Sequence, residues 1–265
     1  MEAHFELRSS RARMVNMDNL KGKVILITGG AQGIGEATAR LCVERGAAVC
    51  LVDMKRERGE AIAKELRDAG GDATFIAVDV RDDQQVREAF EQVRQRYGRL
   101  DVLICAAGVL KGAYQTPEEL PLDDFQMVID VNVRGVFLCA KYATPLLEAS
   151  GRGVMLVIAS GAGVIGPSSS LAYGASKGGA NGLAMTLAGH LESRGIRVNT
   201  LCPGNIVTEM KLSVERADAE RRGLDVEAAV ESARQRYGSP EGVAKIIAFI
   251  VSDEADYLRG AIFTR

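Results

Sequence analysis

Three side chains in the second half of the sequence could together carry out acid–base chemistry. Tyr173 and Lys177 are four residues apart in the segment YGASK, so on a helix they lie on one face, one turn apart. An ammonium group beside a phenol favours the phenolate and lowers the phenol pKa from about 10 towards neutrality, which makes the tyrosine a usable acid and base. Such pairs are also common on ordinary exposed helices, so the spacing alone does not establish an active site.

The third side chain is Ser160, which ends the apolar run GVMLVIAS. This run is typical of a buried strand. Open α/β sheets bind their ligands at the carboxyl ends of the strands, and Ser160 would lie at such an end. Its hydroxyl could therefore donate a hydrogen bond to a substrate oxygen on which negative charge develops.

Composition excludes several classes of function. The chain has 265 residues, of which 47% are hydrophobic, and a formal net charge of -2 without long runs of one sign. We therefore expect neither a nucleic-acid nor a membrane partner. No apolar segment reaches the ~18 residues of a membrane span, and the start lacks the apolar stretch of a secretory signal. Five cysteines without disulfide or zinc spacing predict a cytoplasmic protein with no metal site.

The amino-terminal part reads as a strand, a glycine-rich turn and a helix. The apolar run KVILIT (23–28) precedes TGGAQGIG (28–35), which leads into EATARLCVERG. Gly29 would permit the tight turn, Gly33 the close approach of the backbone to a phosphate, and Gly35 the close packing of helix on strand. The amino terminus of the helix would offer its N–H groups to a pyrophosphate, so this unit predicts a dinucleotide site.

The second predicted strand, AAVCLVD, ends at Asp53. A carboxylate there would accept hydrogen bonds from ribose hydroxyls and repel a 2′-phosphate, which favours NAD over NADP. Lys55 and Arg56 follow directly and could bind such a phosphate, so the sequence leaves the preference open. Asp53 could also cap the next helix.

Three later features are candidates for the same site. Asp79, at the end of the strand ATFIAVDV, could contact an adenine or cap the following helix. Asn132 is a polar residue within a helix predicted over about 122–149, and it is either a satisfied core amide or the mark of a local distortion. Thr208 follows the sixth strand, IRVNTLCPG, and opens a charged, helical stretch that we interpret as a mobile lid, the lid segment (about 205–237).

Strands and helices alternate through to about residue 204 without a linker or a repeat. This pattern predicts an α/β fold, a Rossmann-type doubly wound parallel sheet in a single domain over residues 20–265. We interpret residues 1–19 as a disordered lead-in or tag remnant. A last amphipathic helix is predicted in SPEGVAKIIAFIVS, with Ser239 as its cap.

Together these motifs resemble the short-chain dehydrogenase/reductase family in its common form of about 250 residues. TGGAQGIG matches the family's TGxxxGxG, and YGASK matches its YxxxK, with the serine thirteen residues upstream of the tyrosine. NVRG matches the helix asparagine, and PGNIVT matches the segment that holds the nicotinamide amide. The resemblance covers about residues 20–265.

The resemblance implies a role for each matching residue. Tyr173 would be the general acid/base, and Lys177 would lower its pKa and hold the nicotinamide ribose. Ser160 would orient the substrate oxygen, and Asn132 would help to hold a water in a proton relay. The implied cofactor is NAD, and the implied contacts with it are Gly29, Gln32, Gly33, Ile34, Gly35, Asp53, Met54, Asp79, Val80, Ala106, Ala107, Gly108, Tyr173, Lys177, Pro203, Gly204, Ile206 and Thr208.

Two segments depart from the family pattern. Cys105-Ala106-Ala107-Gly108 stands where the family usually has NNAG, so we expect weaker bracing of the sheet and of the adenosine ribose. The sequence stops at GAIFTR, where relatives usually run on through a DGG-containing tail that often packs at a subunit interface. This second departure bears on assembly more than on chemistry.

The leading hypothesis is hydride transfer between NAD(H) and a secondary alcohol or its ketone. One alternative is an NADPH-dependent 3-oxoacyl thioester reductase. Asp53 argues against it, because its carboxylate would repel the 2′-phosphate of NADPH. Another is a non-catalytic nucleotide-binding sensor on the same fold, although such a protein need not keep the whole serine, tyrosine, lysine and asparagine set. The partner is a small-molecule substrate of open identity, selected by the loop 109–120, residues 161–171 and the lid segment. The family also implies a homo-oligomer, either a dimer or a tetramer.

Overall fold

The structure is a computed structural model that describes residues 19–264, so the interpretation of residues 1–19 as a lead-in lies outside it except for Asn19. Its centre is a seven-stranded sheet in the order β3-β2-β1-β4-β5-β6-β7, with every neighbouring pair parallel. The strands are β1 (Val24–Thr28), β2 (Ala48–Asp53), β3 (Ala73–Ala77), β4 (Val102–Cys105), β5 (Gly153–Ile158), β6 (Ile196–Cys202) and β7 (Gly260–Phe263).

Helices connect the strands and cover both faces of the sheet. They are α1 (Gly33–Glu44), α2 (Arg56–Asp68), α3 (Asp83–Tyr97), α4 (Leu122–Ile129), α5 (Gly135–Ala149), α6 (Leu171–Leu191), α7 (Glu209–Arg222), α8 (Val226–Arg236) and α9 (Pro240–Ile250). A π-helical turn (Asp130–Arg134) joins α4 to α5, and short 3₁₀ turns follow α6 (Glu192–Arg194) and α9 (Asp253–Ala255).

The strands are apolar because helices bury both of their faces. All five residues of β1 and all six of β5 are buried. One apolar cluster lies between the sheet and α3, α5 and α6, and a second lies between the sheet and α1, α2 and α9. The chain leaves β1 towards β2 on one side, whereas β4 lies on the other side of β1. The carboxyl ends of β1 and β4 therefore flank the switch point at which open α/β sheets bind ligands.

The predicted doubly wound parallel sheet in one domain is confirmed, as is the cap of α9, where the Gly242 N–H donates to Ser239 Oγ at 3.1 Å. The seventh strand was not predicted. It is four residues long, half-exposed at the sheet edge, and pairs with β6 through Asn199 opposite Gly260. Among residues 19–264, no helix combines the length and the apolar character needed to cross a membrane.

Two alternative capping roles proposed from the sequence are wrong. The residue that precedes α2 as its cap is Lys55, without a side-chain bond, so Asp53 does not cap this helix. The cap of α3 is Asp82, whose carboxylate accepts hydrogen bonds from the N–H groups of Gln84 and Gln85. Asp79 lies three residues earlier and does not cap α3. The strand β3 ends at Ala77, earlier than the predicted strand ATFIAVDV, so Asp79 lies in the turn that follows it.

Candidate active site

A single cleft of about 1060 Å³ runs along the carboxyl ends of the strands. All the residues predicted to contact the cofactor line it, and so does Ser160. Of the predicted site residues, only Asn132 does not reach the cleft wall; it is 1% exposed and lies behind the wall. The folded chain thus collects segments from β1 to α7 around one cavity. Within residues 19–264, no group of three or more histidine, cysteine, aspartate or glutamate side chains is placed to hold a metal ion.

The glycine turn between β1 and α1 lets neighbouring backbone, and a ligand in the cleft, come close to its main chain. Gly29 has a φ of 69°, and a Cβ there would meet the backbone of Ala106 and Ala107 at 2.7–2.8 Å. A Cβ on Gly35 would lie 2.1 Å from the Gly29 carbonyl oxygen. The residue that precedes α1, Gln32, makes no side-chain capping bond, so the first-turn N–H groups remain available at the cleft. This turn fits a pyrophosphate group.

Asp53 is fixed in place by two backbone N–H groups. The Ala31 N–H donates to Oδ2 at 3.1 Å and the Lys55 N–H donates to Oδ1 at 3.0 Å. The first bond joins the end of β2 to the glycine turn. Each carboxylate oxygen keeps further acceptor capacity, so Asp53 can still accept hydrogen bonds from a ligand in the cleft.

The cations that follow Asp53 all have other partners. The Lys55 ammonium donates to the Gln32 side chain, and Arg56 pairs with Glu60 on the same helix at 3.3 Å. Arg58, which the sequence analysis did not single out, also lines the cleft. Its guanidinium donates to the Ala31 carbonyl at 2.6 Å and to Glu36 at 2.7 Å. These cations are therefore engaged by protein groups, and of the three Lys55 and Arg58 line the cleft.

Asp79 is held by an adjacent arginine. The Arg81 guanidinium lies 2.6 Å from Asp79 Oδ2, and this pairing holds the pKa of the Asp79 carboxyl below its usual value despite partial burial. The Asp79 N–H donates to the Gln85 side chain at 3.0 Å. Asp79 is therefore a fixed anion at the cleft wall, and Arg81 is a lining residue that the sequence analysis missed.

Tyr173, Ser160 and Lys177 meet at the cleft, but their electrostatics differ from the prediction. Burial raises the pKa of Tyr173 above its ordinary value of 10.0, and a side-chain hydrogen bond with Ser160 acts in the opposite direction. The expectation that Lys177 lowers this pKa is not met by the protein groups. Burial in turn lowers the pKa of Lys177 to about 8. For both side chains, burial is the largest cause of the pKa shift.

The position of the Lys177 ammonium explains this result. It donates to the Ile158 carbonyl at 2.7 Å, in the buried interior at the end of β5. It also lies 5.5 Å from the centre of the Tyr173 ring, which is within reach of the ring face. The helix spacing places both residues on one face as predicted, whereas the carbonyl at the strand end determines where the ammonium points.

Asn132 combines the two alternatives that the sequence left open. It is a satisfied buried amide, and it lies in the π-helical turn that distorts the predicted long helix. The Val109 N–H donates to Asn132 Oδ1 at 2.8 Å, and Nδ2 donates to the Val109 carbonyl at 2.9 Å and to Ser176 Oγ at 2.8 Å. This amide therefore ties the segment after β4 to α6. π-helical turns of this kind often mark functional sites.

The CAAG segment after β4 is braced in spite of its missing amides. The Ala107 N–H donates to Thr28 Oγ1 and the Ala106 N–H to the Thr28 carbonyl, both at 3.2 Å. Cys105 is buried in the core. A hydroxyl at the end of β1 thus provides a bond between the strands where the family pattern relies on side-chain amides.

The end of the cleft beyond Tyr173 is lined mainly by apolar and hydroxyl-bearing side chains. Those that the sequence analysis did not name singly are Val109, Leu110, Tyr114, Met127, Val131, Ala162, Pro167, Ser168, Ser169, Asn205, Val207, Glu209, Met210, Lys211 and Val214. They come from the three segments expected to select the substrate and from α4 and the π-helical turn. The one lysine among them pairs with Glu215 at 2.8 Å.

A parallel sheet with a glycine turn at its switch point, and with serine, tyrosine and lysine at the next strand end, is the architecture of a nucleotide-dependent oxidoreductase. The short chain dehydrogenase family model matches residues 23–219. The chain therefore belongs to the short-chain dehydrogenase/reductase family, whose members act on alcohols and ketones.

Relatives match along nearly the whole chain. A cis-4-hydroxycyclohexanecarboxylate dehydrogenase of Sinomonas cyclohexanicum is 37% identical, over 91% of this chain and 93% of the relative. A 3-oxoacyl-[acyl-carrier-protein] reductase of Thermotoga maritima is 36% identical, over 92% of this chain and 96% of the relative. The L-sorbose reductase of Gluconobacter frateurii, solved with NADPH and L-sorbose, has a TM-score of 0.84 at 29% identity, over 92% and 95% of the two chains.

Proposed function

We propose that this protein transfers a hydride between NAD(H) and a secondary alcohol or its ketone, with Tyr173 as the general acid/base. The observation that carries the proposal is the meeting of the Tyr173 and Ser160 side chains at one cleft, where Ser160 lies close enough to act against the raised pKa of Tyr173. Two hydroxyl groups at this place can bind one substrate oxygen and move a proton to or from it. The nicotinamide supplies the hydride chemistry when it is bound.

The remaining residues orient and support this pair. Lys177 would hold the nicotinamide ribose, since its side chain lines the cleft with the ammonium 5.5 Å from the centre of the Tyr173 ring. Asn132 keeps the segment after β4 against α6, so that Gly108 packs beside Lys177. The turn of Gly29, Gly33 and Gly35 would take the pyrophosphate.

The raised pKa of Tyr173 bears on the direction of the reaction. At neutral pH the phenol form prevails, so Tyr173 is ready to donate a proton to the oxygen of a ketone that is being reduced. Oxidation of the alcohol requires the phenolate, whose population rises with pH. We therefore expect the rate of alcohol oxidation to increase with pH above neutrality more steeply than the rate of ketone reduction.

The preference for NAD over NADP rests on Asp53. Its carboxylate is held at the cleft by two N–H groups, and the nearby cations are engaged with protein acceptors. A 2′-phosphate would meet the negative charge of Asp53 and would have to displace Arg58 from Glu36. Titration of the purified protein with NADH and NADPH tests this, because tighter binding of NADPH would contradict it and favour the 3-oxoacyl thioester reductase.

The catalytic role is tested by Tyr173→Phe, which removes only the phenolic oxygen. We expect the rate to fall by about 10²–10⁴-fold, the usual contribution of a general acid/base. Tyr142→Phe is the matched control, since the Tyr142 hydroxyl bonds to Asp83 on the far side of α5. Unchanged turnover of Tyr173→Phe would refute the mechanism. Cofactor binding without turnover of any alcohol or ketone would favour the non-catalytic sensor.

The lid, the assembly and the cellular location are further parts of the proposal. The lid segment carries α7 and α8 and would close over the substrate.

Phe137 on α5 and Met185 on α6 are 49% and 62% exposed, which supports a homo-oligomer built on these helices and can be checked by light scattering. The five cysteines are free and buried, as suits the reducing cytoplasm.

A further inference from the structure

Tyr114 has an unusual backbone conformation. Its φ is 64°, and within residues 19–264 it is the one residue other than glycine with a positive φ. A bulky side chain is strained in this left-handed region, which glycine or asparagine occupies more easily. Strain of this kind persists where the surrounding structure enforces it, and it is concentrated at functional sites.

The loop that carries Tyr114 is fixed to the start of α6. The Tyr114 N–H donates to the Ser169 carbonyl at 2.6 Å, and Ala113 pairs with Ser170 in an isolated antiparallel bridge. The fully buried Ser170 hydroxyl donates to the Lys111 carbonyl at 2.6 Å and accepts the N–H of Tyr173 at 3.1 Å. The position of Tyr114 is therefore coupled to that of the proposed acid/base.

The ring of Tyr114 also contacts the lid segment. The guanidinium carbon of Arg221 on α7 lies 4.8 Å from the ring centre, which is a cation–π distance. Asp218 holds this guanidinium at 2.7 Å. Tyr114 therefore connects two parts of the molecule. Its backbone is bonded to the segment before α6, and its ring contacts α7, the first helix of the lid segment.

Tyr114 is the large side chain in a neutral wall of the cleft. It and Tyr173 are the two aromatic residues among those that line the described cleft. The lining side chains from the loop 109–120 and from residues 161–171 are aliphatic, aromatic or carry hydroxyl groups. The charged lining residues of α7, Glu209 and Lys211, are compensated by ion pairs with Arg216 and Glu215. A wall of this composition suits an uncharged, mainly hydrocarbon substrate, whose size the ring can restrict.

We propose that Tyr114 is a specificity-determining residue that limits the size of an uncharged, mainly hydrocarbon secondary alcohol in the cleft. The proposal rests on the proposed function for the position of the reacting carbon, since it takes Tyr173 as the fixed end of the substrate cavity. The Tyr173 N–H is bonded to Ser170 and the Tyr114 N–H to Ser169, so both backbones are anchored to the same segment and the two rings border the space between them. Removal of the Tyr114 ring extends this space towards α7.

The test compares one-ring, two-ring and four-ring alcohols: cyclohexanol, decahydro-2-naphthol and a 3-hydroxysteroid. Their dissociation constants are measured with the reduced cofactor bound, because an alcohol cannot react in that complex, and kcat/KM is measured with the oxidised cofactor. In Tyr114→Gly we expect the preference for the larger alcohols over cyclohexanol to rise by at least about tenfold in both quantities. Tyr114→Phe keeps the ring and should keep the wild-type ratio.

Tyr257→Gly is the matched control, because Tyr257 is fully exposed and does not line the cleft. A second readout is hydrogen exchange in α7, which should become faster in Tyr114→Gly than in Tyr257→Gly because the contact with Arg221 is lost. This readout is independent of turnover, so it tests the contact with the lid segment even in an inactive protein.

The outcomes separate the two proposals. If the size preference in binding shifts as expected but no alcohol is turned over, Tyr114 has the role inferred here and the proposed function is wrong. If turnover occurs with the same size preference in wild type and Tyr114→Gly, the role of Tyr114 is refuted and the proposed function stands. If neither protein binds any alcohol of the series, the inferred substrate class is refuted.

Discussion

The side-chain amide of Asn132 is hydrogen-bonded at both ends to the backbone of Val109. The Val109 N–H donates at 2.8 Å and the Val109 carbonyl accepts at 2.9 Å. A further bond from Nδ2 reaches Ser176, the residue before Lys177. The chain after β4 and the second turn of α6 are therefore held together by one buried amide in a π-helical turn.

Asn132→Ala should destabilise the protein and reduce turnover together. It leaves the Val109 N–H and carbonyl unpaired in the interior, at a cost of about 1–3 kcal/mol for each buried group that finds no other partner. Urea unfolding measures the loss of stability, and kcat with saturating cofactor measures the loss of alignment. Asn181→Ala on α6 is the control, because the Asn181 amide contacts only Met185 weakly, at 3.7 Å. Equal unfolding free energies for the two variants would contradict this account.

Gly35→Ala should abolish cofactor binding. The new Cβ would lie 2.1 Å from the Gly29 carbonyl oxygen, so the glycine turn would have to move. Gly182→Ala in α6 is the matched control, since its Cβ would meet no atom within 4 Å. We expect this control to bind the cofactor normally and to gain roughly 0.5–1 kcal/mol of stability, as alanine replaces glycine within a helix. NADH fluorescence titration and urea unfolding check both variants.

The parts of the fold that the sequence predicts well depend on local pattern. Short apolar runs between glycine turns and amphipathic helices locate six strands, because a strand buried on both faces must be apolar throughout. The spacing of Tyr173 and Lys177 places them on one helix face for a similar local reason. β7 cannot be predicted in this way, because GAIF is short and half-exposed and is defined by its pairing with β6.

The features that the sequence could not predict depend on distant partners. The Tyr114 ring meets Arg221 only after the lid segment folds back over the loop, and no local pattern relates the two residues. The pKa of Tyr173 was predicted with the wrong sign because the spacing shows a neighbouring ammonium but not the burial of the phenol. Likewise, the Ile158 carbonyl that receives the Lys177 ammonium belongs to another element.

Asp53→Asn should reduce the discrimination between NADH and NADPH. The substitution keeps the size of the side chain but removes the charge that opposes a 2′-phosphate, so the ratio of the two dissociation constants should fall by about tenfold. The amide also cannot accept from both N–H groups that now hold the carboxylate, which should weaken NADH binding. Glu57→Gln on α2 removes the same charge outside the cleft and should leave the ratio unchanged. An unchanged ratio in Asp53→Asn would assign the preference to other residues.

The lowered pKa of Lys177 predicts how stability depends on pH. Burial lowers the pKa of Lys177 from its ordinary value of 10.5 to about 8, so between these values the unfolded chain binds a proton that the folded chain has released. The free energy of unfolding contributed by Lys177 must then rise with pH across this window and stay constant outside it. The rise is at most about 3.5 kcal/mol, from about 1.4 kcal/mol for each pH unit.

Lys177→Met isolates this contribution, because methionine does not titrate and fills much of the same buried space. Other groups also titrate in this range; burial raises the pKa of Cys42 to about 12 and that of Cys50 to about 11, which lowers stability at high pH. These effects are shared by both proteins and cancel in the difference. Urea unfolding of the two proteins from about pH 7 to 11 should therefore give curves that diverge, with the wild type gaining stability relative to the variant between about pH 8 and 10.5. Parallel curves would mean that the Lys177 ammonium is stabilised as well in the fold as in water, by its bond to Ile158.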